Sequence, residues 1–161
     1  METVRILGTG SYVPPHIVTN DDLVKKGLDT SDEWIAKRTG VRERRVAEPD
    51  VATSDLAYEA SLRALEMAGI GIDQIDMIIL ATITPDTHCP AAANTLQAKL
   101  KATQAVSLDI TAACSGFIYA MNIATQYLKN KIYRKVLIIG GEVMTRVVDW
   151  TDRGSCVLWG D

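Results

Sequence analysis

Ser107 to Leu128, "SLDITAACSGFIYAMNIATQYL", sets a short alternating run directly before a lone cysteine, a serine and a glycine, and then a long apolar segment. "QAVSLDI", ending at Ile110, has the length and alternation of a strand, and Ser115 to Lys129 has those of a helix. A strand that passes into a helix through one tight turn is the building unit of layered α/β folds. Cys114 stands in that turn.

The same grammar continues on both sides. "DMIILAT" and "KVLIIGG" are continuous apolar runs too short for helices, which predicts strands buried on both faces. "PAAANTLQAKL" predicts a helix with Pro90 in its first turn. "VATSDLAYEASLRALEMAG" carries Leu56, Ala57, Ala60, Leu62, Ala64, Leu65 and Ala68 at near-helical spacing before Gly69. The alternation of helix and buried strand predicts an α/β fold with largely parallel central strands. At the ends, "TVRILGTG" predicts a first strand and "SCVLWGD" a last one. Between them, "SYVPPHIVTN" is a proline-broken connection. Thr19 or Asn20 can cap a short helix closed by Gly27. Ser31 or Thr30 can cap a second, whose acids Asp32 and Glu33 lie near its positive end and whose bases Lys37 and Arg38 lie near the other, before Gly40.

With 161 residues, 47% of them hydrophobic and 23% charged, the chain has the balance of an ordinary globular domain or half of a larger one. A formal net charge of -3 gives no global attraction to nucleic acid. Three cysteines without CxxC spacing argue against a disulfide framework and for a reducing compartment. The start of the chain shows no basic segment leading into a long apolar core, and no apolar run reaches membrane-spanning length. A cytoplasmic protein without membrane or nucleic-acid partners is the expectation. His88 has no second ligand at a workable spacing, so no metal is expected. "RERR", Arg42 to Arg45, reads as a solvated face. Glu142 and Asp161 end strands, where a carboxylate can bond backbone groups. Cys156, in an apolar stretch, reads as core.

Two local readings of Cys114 stand side by side. Backbone N–H groups and the positive end of a helix favour a thiolate that attacks acyl groups, and Gly116 then leaves room for a substrate. Alternatively, "AAC" is small-residue packing around a buried thiol.

"ILGTGSYVPP", "DTSDEWIAKRTGVRERR", "ATITPDTHCPAAANTLQAKL", "DITAACSGFIYAMNIATQYL" and "DWTDRGSCVLWGD", in this order, resemble the N-terminal half of β-ketoacyl-acyl carrier protein synthase III. The resemblance implies a thiolase-like fold: the first βαβαβαββ half of a five-layered αβαβα sandwich, with 1–161 forming one half-domain and a C-terminal half or companion chain supplying the rest. It implies a homodimer and an acyltransferase of fatty-acid biosynthesis. An acyl-CoA primer loads onto cysteine, and malonyl-acyl carrier protein then loses carbon dioxide and attacks the thioester. No permanently bound cofactor is implied; the coenzyme A thioester is a substrate.

Residue by residue, the resemblance makes Cys114 the nucleophile, Trp34 the adenine-stacking side chain and Arg38 its guanidinium partner. Thr30 and Thr39 become nearby polar contacts, and Arg153 the arginine at the phosphate end. The family's catalytic histidine and asparagine lie in its second half, and neither His16 nor His88 has that histidine's context. Cys89 stands where relatives often carry an aromatic residue lining the partner's acyl pocket, which implies room for a larger or branched primer. Trp159 is a bulky neighbour that narrows the same pocket. Two alternatives carry different activities: a related condensing enzyme, such as hydroxymethylglutaryl-CoA synthase or a secondary-metabolite synthase, and a truncated binding or dimerisation module without turnover.

Overall fold

A computed structural model describes residues 3–161; Met1 and Glu2 lie outside the described residues. The chain divides into two compact units. One joins Ala52–Glu142 to the stretch ending at Tyr12, and the other joins Val13–Val51 to Val143–Asp161.

The larger unit is a three-stranded parallel sheet in the order β4-β3-β5, from β3 (Met77–Ala81), β4 (Val106–Ile110) and β5 (Val136–Gly140). Its helices are α3 (Thr53–Ala68), α4 (Ala92–Leu100) and α5 (Gly116–Lys129). β3 is buried along its whole length, as its unbroken apolar sequence requires. Ile78 and Leu80 join Leu137 and Ile139 of β5 in a core with Ala57, Leu65, Leu96 and Leu100. Met77 and Ile79 point the other way, into a core with Ala120 and Ala124 of α5. Gly116, Ala120 and Ala124 recur every four residues, so α5 lays a stripe of buried small side chains on the sheet. β4 is less buried than β3. Its Leu108 and Ile110 pack into the α5 core, while Asp109 accepts from the N–H groups of Ala92 and Ala93, both at 2.8 Å, and holds the start of α4.

The smaller unit pairs β1 (Ile17–Thr19) antiparallel with β2 (Glu43–Arg45) and carries α1 (Asn20–Lys25) and α2 (Asp32–Thr39). The caps fall where expected. Thr19 Oγ1 accepts from Asp22 N while the Asp22 carboxylate accepts from Thr19 N, a reciprocal box at the head of α1. Ser31 caps α2, and Gly40 closes it with φ of 76°.

Three expectations are corrected. Thr3–Gly10 forms no strand: it runs against α3 so closely that a Cβ on Gly8 would stand 2.5 Å from Ala64 O, and one on Gly10 2.2 Å from Ala60 O. Its backbone therefore lies on a helix rather than in a ladder. "SCVLWGD" is not a strand either. Cys156–Leu158 is a 3₁₀ turn closed by a 3.0 Å bond from Leu158 N to Ser155 O, with Cys156 N donating to Asp152 O, so these backbone groups bond locally rather than in a ladder. Finally, "RERR" is a solvated face only in part: Arg42 and Glu43 are exposed and Arg45 is half-buried, but Arg44 turns inward. Arg44 is 5% exposed and donates to Val18 O, Asn20 Oδ1 and Val157 O, so its guanidinium ties β1, the head of α1 and the last turn together.

Candidate active site

Cys114 sits in a 3₁₀ turn, Ala113–Ser115, between the end of β4 and the start of α5. Its thiol is exposed and unpaired, which disfavours the reading of a buried packing residue. Ala113, immediately before it, has φ of 46°, the left-handed region that costs an L-residue about 1–2 kcal/mol. No side chain caps the start of the 14-residue α5; Ser115 N and Gly116 N donate instead to Ala112 O and Ala113 O, which ties the turn carrying the thiol to the positive end of the helix. Gly116 has a different purpose from the one expected. It is buried, and a Cβ there would lie 3.1 Å from the Ala81 Cβ; its missing side chain lets the helix approach β3 rather than clearing a path for substrate.

The β3–α4 loop, 82–91, is fastened near its base. Thr53 Oγ1 donates to Thr84 O at 2.5 Å, and Asp86 accepts from Ser54 N at 2.9 Å. Lys99 in turn reaches Ser54 Oγ at 2.7 Å and Asp55 at 2.5 Å. Thr87 to Pro90 at the far end are exposed, Cys89 among them, with a cis peptide bond between Cys89 and Pro90. Asp86 and Asp109 were not singled out by sequence. Only their three-dimensional neighbours reveal them as holders of helix ends.

In the smaller unit, the Arg38 guanidinium lies 4.2 Å from the centre of the Trp34 ring and that of Arg153 lies 5.1 Å from it. Arg38 reaches the ring because it follows Trp34 by four residues on α2. Arg153 arrives from the opposite end of the sequence, anchored by a 2.7 Å bond from Nη1 to Asp29 O. Its loop is shaped by two aspartates. Asp149 accepts from the N–H and hydroxyl of Thr151, and Asp152 accepts from Ser155 Oγ and Gly154 N; these bonds pull both carboxyls below the usual range. Thr30, next to Asp29, has a buried Oγ1 with no hydrogen-bond partner. Thr39 is committed to its own helix end, donating to Ile35 O and accepting from Val41 N. Trp159 is 39% exposed, beside Gly160, which packs tightly on Arg44 and Arg45. Cys156 is fully buried, and that burial, with Asp152 nearby, pushes its thiol up. Among the described residues no group of three or more His, Cys, Asp or Glu side chains could hold a metal ion. No described helix is long and apolar enough to cross a membrane.

The family model for 3-Oxoacyl-[acyl-carrier-protein (ACP)] synthase III matches residues 108–161, a span that contains the whole strand–Cys114–helix junction. β-Ketoacyl-[acyl-carrier-protein] synthase III of Caldanaerobacter subterraneus subsp. tengcongensis is 54% identical over 156 residues, which are 97% of this chain and 47% of that protein. The Xanthomonas oryzae pv. oryzae protein of the same name is 52% identical over 98% of this chain and 48% of its own length. Among solved structures, 3-oxoacyl-[acyl-carrier-protein] synthase III from Aquifex aeolicus VF5 superposes with a TM-score of 0.93 at 47% identity, covering 97% of this chain and 50% of that one. The priming β-ketosynthase of the R1128 polyketide pathway gives 0.93 at 39% identity, covering 98% and 47%. The chain spans about half the length of the curated relatives it matches. Sequence and fold together make it a homologue of β-ketoacyl-[acyl-carrier-protein] synthase III, with a partial thiolase-like α/β fold corresponding to the N-terminal half.

Proposed function

We propose that the chain supplies the acyl-accepting cysteine and part of the coenzyme A site of a synthase III type acyltransferase, which starts fatty-acid synthesis in the cytoplasm. The observation that carries this reading is the exposed Cys114 thiol at an uncapped helix start, inside the span matched by the family model.

In the first step the Cys114 sulfur attacks the thioester carbonyl of an acyl-CoA. A new carbon–sulfur bond forms, the bond to coenzyme A breaks, and the departing thiolate takes up a proton. The sulfur stands at the start of α5, and because Ser115 N and Gly116 N donate to Ala112 O and Ala113 O, the Cys114 N–H is the turn's donor for the transient oxyanion. Trp34, Arg38 and Arg153 present an aromatic face and two guanidinium groups suited to a nucleotide and its phosphates, with Thr30 beside them. Thr39, bonded within its helix end, contributes through shape rather than a free hydroxyl. In the second step malonyl-acyl carrier protein loses carbon dioxide, its carbanion attacks the acyl-cysteine carbonyl, and the Cys114 thiolate leaves. The groups that assist this step belong to a C-terminal half or companion chain, completing one half-domain, 1–161, of the enzyme. A homodimeric assembly accords with exposed Phe117, Ile118, Tyr119 and Ile123 on α5. The same reading gives the exposed Cys89 a place in the primer pocket.

Intact-mass spectrometry after incubation with acetyl-, isobutyryl- and longer acyl-CoA tests the reading. The expected result is a single acyl adduct that maps to Cys114 and is abolished by Cys114→Ala; an adduct that persists in that variant refutes it.

A further inference from the structure

Two residues beyond β5, the Glu142 carboxylate gathers donors from the first residues of the β3–α4 loop. Ile83 N lies 2.9 Å from Oε1 and 3.1 Å from Oε2. Oε2 also accepts from Thr84 N at 3.0 Å, from Thr82 Oγ1 at 2.9 Å and from Thr84 Oγ1. All these donors are neutral, and together they fix one backbone corner at the exit of the central strand. That corner is also joined to the segment that carries Cys114. Thr82 N donates to Ile110 O at 3.0 Å, and Thr111 Oγ1 donates to Thr82 O at 3.2 Å. On the other side of Cys114, Gly116 rests against Ala81. The residues just before and just after the cysteine's turn therefore both take their position from the stretch Ala81–Thr82.

We propose that Glu142 is a positioning residue for Cys114: by fixing Thr82–Thr84 it sets the corner on which Ile110–Thr111 and Gly116 rest, and so holds the turn that presents the thiol. The inference rests on Cys114 being the acyl acceptor. Glu142 touches no reacting atom; it acts through Thr82. Fixed donors and acceptors matter because a displacement of about 1 Å at a reacting group can cost about a hundredfold in rate.

Two variants separate this role from general support of the fold. Glu142→Gln replaces an acceptor oxygen with an amide that faces the N–H groups of Ile83 and Thr84. Thr82→Val keeps the backbone bonds of Thr82 and its shape but deletes the hydroxyl that meets Glu142. Each variant is treated with iodoacetamide under native conditions, and the alkylation rate is read separately at Cys114 and at Cys156 by peptide mass spectrometry. Cys156 is fully buried and reports unfolding. The acyl-CoA dependence of loading is measured in parallel. The expected result is a shift of at least about threefold in Cys114 alkylation, with Cys156 still protected, and a fall of about tenfold or more in loading at saturating acyl-CoA with little change in the half-saturating concentration. Glu142→Asp, which keeps the carboxylate, restores part of the rate. Unchanged Cys114 alkylation in both variants overturns the proposal, as does a change accompanied by labelling of Cys156. A wild-type protein that takes no acyl group refutes the acyl-acceptor reading instead, and the alkylation rates still decide whether Glu142 positions the thiol.

Discussion

Ala113 holds a left-handed backbone one residue before the thiol, in a position that no local sequence rule demands of an alanine. Relief of that strain is measurable. Ala113→Gly should raise stability or leave it unchanged, whereas Ala113→Val, β-branched at a positive φ, should lower it by roughly 1–3 kcal/mol in urea unfolding. A second residue-scale outcome concerns Asp22, whose carboxyl is pulled from 3.8 to about 2, mainly by the Thr19 hydroxyl and then by the Thr19 N–H. A depressed carboxyl stabilises the folded form fully above its ordinary value and loses that contribution as pH falls through the folded one. An NMR titration should therefore place the Asp22 midpoint near 2, and Thr19→Val should move it back toward 3.8. The place of Cys114 in a turn between strand and helix was legible from sequence because each of these elements leaves a local pattern. The purpose of Gly116 was not, because the atom it makes room for, the Ala81 Cβ, belongs to a strand some 35 residues earlier.

Helices were the most readable elements. Thr19, Ser31, Gly40 and Gly69 mark their ends through bonds that span no more than a few residues. The strands in "DMIILAT" and "KVLIIGG" were equally plain, although burial on both faces holds along the whole of β3 and not of β5, where Val136 and Ile138 are half-buried and Gly140 is exposed. Segments whose state depends on a distant neighbour were misread. Thr3–Gly10 has strand-like alternation but lies on α3, and three residues of "RERR", Glu43–Arg45, form β2 with Arg44 inside. The contact with α3 makes a prediction for that segment. Gly10→Val should displace it, since its Cβ would overlap the Ala60 carbonyl and the Ala64 N; a loss of thermal stability together with greater proteolysis near residue 10 is the expected outcome. A variant with unchanged melting and cleavage would mean that the contact contributes nothing.

Each unit encloses its own core, yet a sizeable share of the large apolar side chains faces outward. Ile6 is 72% exposed and Ile118 62%, and Phe117, Tyr119 and Ile123 accompany Ile118 on α5. A helix apolar on several sides belongs inside a larger body. The chain on its own should therefore associate as its concentration rises, and Ile118→Ser with Ile123→Ser should reduce that association in sedimentation velocity. Association unaffected by the pair of substitutions would place the sticky surface elsewhere. This whole-molecule property was foreseeable from the length of the resemblance, whereas the identity of the outward residues required the fold.

The β3–α4 loop is fastened at its root by Glu142, Thr53 and Ser54, while its tip from Thr87 to Pro90 stands free of the sheet. Such a division separates a bonded base from a free end. A substitution at the root removes hydrogen bonds that hold the loop to its neighbours, whereas one at residue 89 alters only what the exposed tip presents. Residue 89 can therefore carry side chains of quite different size while the root of the loop keeps every one of its bonds.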